Sequence, residues 1–118
     1  MPVHVVVFIT AGSTSEAHTI ARALVEEHVA ACVTIVSPIQ SVYRWQGKVC
    51  DEQEVLLIAK TVEAMLEKLT TRVKQLHSYE VPEIIALPIV AGAEDYLRWI
   101  QEQTRPSADA PSAQTGAH

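Results

Sequence analysis

His77 and Glu80 stand three positions apart near the end of a helical stripe, with Tyr79 between them. They offer one imidazole nitrogen and one carboxylate to a metal ion. Such nitrogen and oxygen donors suit Cu(II), but two donors from one chain make an incomplete set, which water, a thiol or a second copy would have to finish. The structural alternative is that His77 meets the negative end of its helix while Tyr79 and Glu80 fix the turn into Pro82. Cys32 is the softest ligand in the chain; it reads first as a small core thiol and second as a contributor to the same metal site. Cys50 lies beside Asp51 and Glu52, neighbours that do not activate a thiol, and reads as exposed or incidental. By spacing alone, Glu54 and Lys60 are solvated surface residues, Lys60 with a buried stem and an exposed head, and Trp45 is a packing anchor. Gly12-Ser13-Thr14-Ser15 could receive an anion on free N–H groups, although simple helix capping explains it. The chain contains no G-x-S-x-G, Walker loop, H-E-x-x-H or G-x-G-x-x-G, so the expectation is a protein that is not an enzyme.

Charge narrows the partners. Nine basic residues face 14 acidic ones, for a net charge of −5, and no run of Lys or Arg forms a stripe for phosphates. Nucleic acid and anionic membranes are therefore poor partners. The N-terminal apolar run is short and lacks a basic region or cleavage site, and no segment reaches the ~20 apolar residues of a membrane span. A cytoplasmic location with reduced thiols is expected.

The elements that must position these residues follow from periodicity. Val3 to Thr10 is a β-rich run that ends at Ala11-Gly12. Ser13 and Glu16 form a capping box for a first helix over about residues 14–29, with Ala17, Ile20, Ala21, Leu24 and His28 at helical spacing. Two β-rich runs, Ala30 to Trp45 and Val49 to Ala59, flank a Gln46-Gly47 hairpin turn. Strands of that length would reach ~50 Å at ~3.3 Å per residue, so the hairpin must bend near Pro38 or project beyond its own domain. This register sets Tyr43 opposite Cys50 and puts Cys32 roughly 36 Å further along, too far for a disulfide within one chain. A second helix is expected to start at Thr61 and end near His77-Ser78-Tyr79, with Val62, Met65, Leu66, Leu69, Val73 and Leu76 on its stripe. Pro88 removes a ladder donor from the last strand, Glu83 to Val90, which should be an edge. Tyr96, Leu97, Trp99 and Ile100 give a short third helix its apolar face. Residues 1–103 form one domain, and 104–118 read as a mobile tail.

The result is an α/β (α+β sandwich) chain of βαββαβ order with an extra C-terminal helix and an extended β2–β3 hairpin. Right-handed crossovers place both long helices on one face of the sheet. Yet the strands are apolar on both sides: Val5 and Val7 alternate with Val6 and Phe8, and Val55-Leu56-Leu57-Ile58 is continuous. The second face therefore calls for cover from other subunits.

Five dispersed segments carry a resemblance: Ala30-Ala31-Cys32-Val33, Tyr43-x-Trp45-x-Gly47-Lys48, Glu54-Val55-x-Leu57-x-x-Lys60-Thr61, His77-x-Tyr79-Glu80-x-Pro82-Glu83 and Gly92-x-x-x-Tyr96-Leu97-x-Trp99-Ile100. In this order they resemble the CutA family of divalent-cation-tolerance proteins over about residues 3–101. The resemblance implies a ferredoxin-like fold and a homotrimer whose long hairpin strands pair between subunits. It also implies a part in tolerance of copper and other divalent metals. Members look like PII signalling proteins as well, which implies the alternative of a sensor or scaffold that binds a small molecule or a partner protein between subunits. On this resemblance Trp45, Glu54, Lys60 and Tyr79 line an intersubunit cleft. The expected cofactor is a divalent metal, Cu(II) first, with none required for folding.

Overall fold

A turn at each junction fixes where the elements begin. The Ser13 hydroxyl accepts the Glu16 N–H at 3.1 Å and starts helix α1, Thr14–Glu26, directly after strand β1, His4–Ala11. Strand β2, Cys32–Trp45, turns through Gln46 (φ 52°) and Gly47 (φ 80°) into strand β3, Lys48–Val62. Both turn residues are left-handed, as a two-residue hairpin loop requires. A 3-10 turn, Glu63–Met65, leads into helix α2, Leu66–Leu76; strand β4, Ile84–Pro88, and helix α3, Glu94–Gln103, are the last elements of the described residues. This computed structural model describes residues 3–105.

The four strands form one antiparallel sheet in the order β2-β3-β1-β4, the ferredoxin-like arrangement. β4 is an edge, as Pro88 requires. The hairpin pairs Tyr43 with Cys50 and Cys32 with Lys60, and both cysteines are free. Pairing slips between Val36 and Ile39, where Pro38 brings no N–H. There β2 advances three residues while β3 advances two, from Leu56 to Glu54. The bulge falls at Pro38, where the hairpin is expected to bend or project, and the described residues extend 47 Å along the longest axis.

The main core lies between α1, α2 and one sheet face: Ile20, Leu24, Leu69 and Val73 pack on Val5, Val7, Ile9, Leu57 and Ala59. Helix α3 packs over one end of the other face, where Ile100 meets Val62 and Ala31 in a second, separate cluster. The rest of that face carries Val6, Phe8 and Ile58 half-buried, with Ile85 and Leu87 about half exposed at 53% and 49%.

Several boundaries differ from expectation, among them that β4 is Ile84–Pro88 and β2 starts at Cys32. α1 stops at Glu26, not near residue 29, because His28 turns left-handed (φ 62°) and the N–H groups of Val29 and Ala30 both fold back to Leu24 O. The second helix does not begin at Thr61. β3 continues to Val62, paired with His4, and the buried Thr61 hydroxyl donates to Val29 O at 2.7 Å. Val62 and Met65 consequently leave the α2 stripe and join Ile100. Finally, the packed chain runs one residue past the expected boundary. Thr104 is buried and donates to Ile100 O at 2.9 Å, while the tail from residue 106 lies outside the described residues.

Candidate functional site

His77 follows the last turn of α2 and is extended (φ −86°, ψ 143°), which swings its ring under the end of β1. The side chain is fully buried. Its Nε2 donates to Thr10 O at 2.6 Å and its Nδ1 accepts the Tyr79 N–H at 3.0 Å, so the contacts assign the tautomer and occupy both nitrogens. Glu16 Oε2 lies 3.5 Å from Nδ1, but that carboxylate already accepts the N–H (2.6 Å) and hydroxyl (3.1 Å) of Ser78. We read the contact as the edge of the Ser78 clamp and not as an ion pair, because Nδ1 is serving as an acceptor.

This clamp aims Tyr79. Its ring packs on His77 at 4.7 Å between centroids and lies against Gly12, where an added Cβ would sit 3.3 Å from the phenol oxygen. The hydroxyl then reaches across to donate to Glu54 Oε2 at 2.7 Å. On the hairpin, Tyr43 repeats the pattern by donating to Glu52 Oε1 at 2.9 Å. Between them opens a cleft of about 640 Å³, bounded by Tyr43, Trp45, Glu54, Tyr79, Glu80 and Glu83.

Trp45, Glu54 and Tyr79 are thus brought together, with Glu80 beside them. Lys60 is not: it lies six residues along β3 from Glu54, roughly 20 Å away at ~3.3 Å per residue. Its ammonium instead sits 3.8 Å from Cys32 Sγ, which Tyr96 OH approaches at 3.7 Å from helix α3. His77, Glu80 and Cys32 are not gathered either. Cys32 pairs with Lys60 and Thr10 with Leu56, which separates Cys32 from the His77 end by roughly 13 Å along β3. Among the described residues no group of three or more His, Cys, Asp or Glu side chains could hold a metal ion.

Sequence reasoning missed Tyr43, Glu83 and the supporting pair Gly12 and Glu16. The Tyr43–Glu52 contact had a usable signal, since Tyr43 opposite Cys50 is diagonal to Glu52 across the hairpin. Gly12 and Glu16 had none, because their partners lie more than sixty residues away.

All three tyrosines hold their protons above the ordinary value. Tyr43 is raised to about 12, first by its hydrogen bond to Glu52. Burial and then Glu54 push Tyr79 up, and Cys32 and burial push Tyr96 up. Protons therefore bind more tightly to the folded chain. The resulting stability is present below the unfolded tyrosine pKa of about 10 and is lost as pH rises through the folded values. Absorbance titration of the native protein at about pH 10.5 should show little tyrosinate, whereas the chain in denaturant is mostly ionised. Native ionisation at the unfolded midpoint would refute the carboxylate contacts.

A model of the CutA1 divalent ion tolerance protein family matches residues 5–103. The chain is 56% identical over 99 residues to the divalent-cation tolerance protein CutA of Thermus thermophilus, covering 84% of this chain and 96% of that protein. It is 46% identical to the chloroplastic protein CutA of Arabidopsis thaliana over 86% of this chain, and spans only 56% of that relative's length. The solved structure of the Thermus thermophilus divalent cation tolerance protein (Cut A1) superposes with a TM-score of 0.85 at 54% identity, covering 86% of this chain and 99% of that one. The family and the Thermus thermophilus protein are named for ion tolerance and not for a catalysed reaction. With the βαββαβα order, the long hairpin and the matched segments in place, the chain belongs to the CutA1 divalent ion tolerance protein family.

Proposed function

We propose that the chain acts in divalent cation tolerance as a homotrimer that takes up divalent metal ions, Cu(II) first among them, at weak surface sites completed between copies. The observation that carries this reading is the half-covered apolar sheet face in a member of an ion-tolerance family. A chain that leaves Ile85 and Leu87 bare beside Phe8 and Val6 is suited to self-association, and association would supply the donors that one chain lacks. Glu80 is free to contribute, and Cys32 would have to exchange its contacts with Lys60 and Tyr96 for the metal. For His77 to join them, its Nδ1 would have to exchange the Tyr79 N–H for the metal.

Titration calorimetry with Cu(II) and Zn(II), run beside light scattering, tests this. The assembled protein should take up Cu(II), and Cys32→Ser together with Glu80→Gln should weaken that uptake by about tenfold or more. A monomeric protein that takes up no metal would overturn the proposal.

One observation favours a second reading, a sensor or scaffold that binds a small molecule: the cleft of about 640 Å³ walled by Tyr43, Trp45 and Tyr79 has the size and the aromatic lining of a ligand site. Saturable binding of an organic compound there, without metal uptake, would select it.

A further inference from the structure

Cys32 and Lys60 face each other across the hairpin. They are directly paired in the β2–β3 register, and Lys60 Nζ donates to Cys32 Sγ at 3.8 Å. Residues opposite one another on adjacent antiparallel strands carry their Cβ atoms about 4.5–5.5 Å apart, so the two side chains can be joined without moving the backbone. On its other side Lys60 pairs with Val6, whose side chain has no polar atom. Cys32 is therefore the cross-strand neighbour with which the amine can react. From helix α3 the Tyr96 hydroxyl approaches the same sulfur at 3.7 Å, and the Tyr96 ring packs on Trp99 at 5.5 Å between centroids. Three elements thus hold one half-buried sulfur against one amine.

The partial exposure of Cys32 admits an oxidant as small as hydrogen peroxide. Peroxide takes a thiol to sulfenic acid, which either condenses with a nearby nucleophile or is oxidised further and irreversibly. In redox-sensing proteins that nucleophile is often a second cysteine. Here the other thiol, Cys50, pairs with Tyr43 far along the hairpin, and the Lys60 amine holds the place that a resolving thiol would take. We propose that Cys32 and Lys60 are a covalent modification site, at which hydrogen peroxide joins the two side chains through a reversible sulfenamide (sulfur–nitrogen) bond. First the thiol sulfur takes one oxygen from peroxide, giving Cys32 sulfenic acid and water; sulfur is oxidised and peroxide is reduced. Lys60 then releases its ammonium proton to solvent and its nitrogen lone pair attacks the sulfur. The S–N bond forms, the S–O bond breaks, and the hydroxyl leaves as water with one amine hydrogen. The bridge stops oxidation short of the sulfinic acid, and two equivalents of a thiol reductant restore the thiol and the amine. Bridging also takes Cys32 out of the donors of the proposed metal site. The test uses metal-free protein, so its outcome does not depend on that reading.

Full-length protein is treated with a small excess of hydrogen peroxide and measured by mass spectrometry before and after digestion. The chain should lose the mass of two hydrogens, trypsin should no longer cut after Lys60, and tandem spectra should join the peptides that contain Cys32 and Lys60. Dithiothreitol should restore both the mass and the cut. Cys32→Ser should show no loss. Lys60→Arg keeps a cation beside the sulfur but lacks the amine nucleophile, so its Cys32 should gain oxygen as sulfinic acid instead. Cys50→Ser should retain the bridge, because the register keeps Cys50 out of reach. Wild-type protein that passes to Cys32 sulfinic or sulfonic acid without a cross-link overturns the proposal. So does a loss of two hydrogens that persists in Lys60→Arg, which places the bond on a backbone nitrogen. A cross-link abolished by Cys50→Ser, or a covalent dimer on a non-reducing gel, is a disulfide and overturns it as well.

Discussion

Replacing Ile85 and Leu87 together by glutamate should convert the proposed trimer into a folded chain of 12.9 kDa. The two residues are about half exposed and stand beside Phe8 and Val6 on the sheet face that α1 and α2 do not cover. In an isolated chain the new carboxylates would remain in water, so the fold itself loses little. In an assembly they would be driven into an apolar contact, where each unpaired charge costs several kcal/mol after relaxation. The gain forfeited is of similar size, at roughly 25 cal/mol per Å² of apolar surface. Light scattering at micromolar concentration should show the change in mass, while far-ultraviolet circular dichroism retains the native signal. The apparent Tm should fall and lose its dependence on concentration. A double variant with the mass of the wild-type assembly would remove this face from the interface. A wild-type protein that is itself monomeric would remove the trimer.

That face was legible in the sequence because a strand has period two: Val5, Val7 and Ile9 demand one core, and Val6 and Phe8 imply a second apolar surface. The hairpin turn, the edge position of β4 and the Tyr43–Cys50 register were legible for similar local reasons. The start of α2 was not. Val62 and Met65 fit the helical stripe as well as Leu69 does, and only the pairing of Val62 with His4 and the bond from Thr61 to Val29 O decide for strand. The cleft was half legible. Trp45, Glu54 and Tyr79 were grouped through the family resemblance, and their contact depends on a fold that brings residues 45, 54 and 79 to one end of the sheet. Lys60 was grouped with them on the same ground, but within the chain its strand position carries it to the opposite end, beside Cys32. His77 shows the limit most plainly. Its type and its distance from Glu80 suggest a ligand, and nothing in the local sequence reveals that Thr10 O has already claimed Nε2.

His77→Ala should therefore be among the most damaging single changes in the apoprotein. The ring is fully buried and satisfies two backbone groups, the carbonyl of Thr10 and the N–H of Tyr79. Removing it leaves both without a partner, at about 1–3 kcal/mol each, and opens a cavity beneath the end of β1. A total of roughly 3–5 kcal/mol is a large share of the 5–15 kcal/mol that holds a typical domain together. Urea unfolding should report it as a lower midpoint with an unchanged slope. The damage also reaches the cleft, because Tyr79 loses the backbone bond and ring contact that aim its hydroxyl at Glu54. The phenol's late ionisation should shift toward the ordinary value in the same variant. Glu80→Ala is the matched control: Glu80 is exposed, and its loss should change stability by less than about 0.5 kcal/mol. The pair separates two roles for His77. A clamp predicts a large loss of stability in metal-free protein. A ligand with no structural duty predicts almost none there, with the whole effect appearing in Cu(II) uptake. Metal-free His77→Ala protein as stable as wild type would show that the contacts to Thr10 and Tyr79 do not hold this end of the sheet in place.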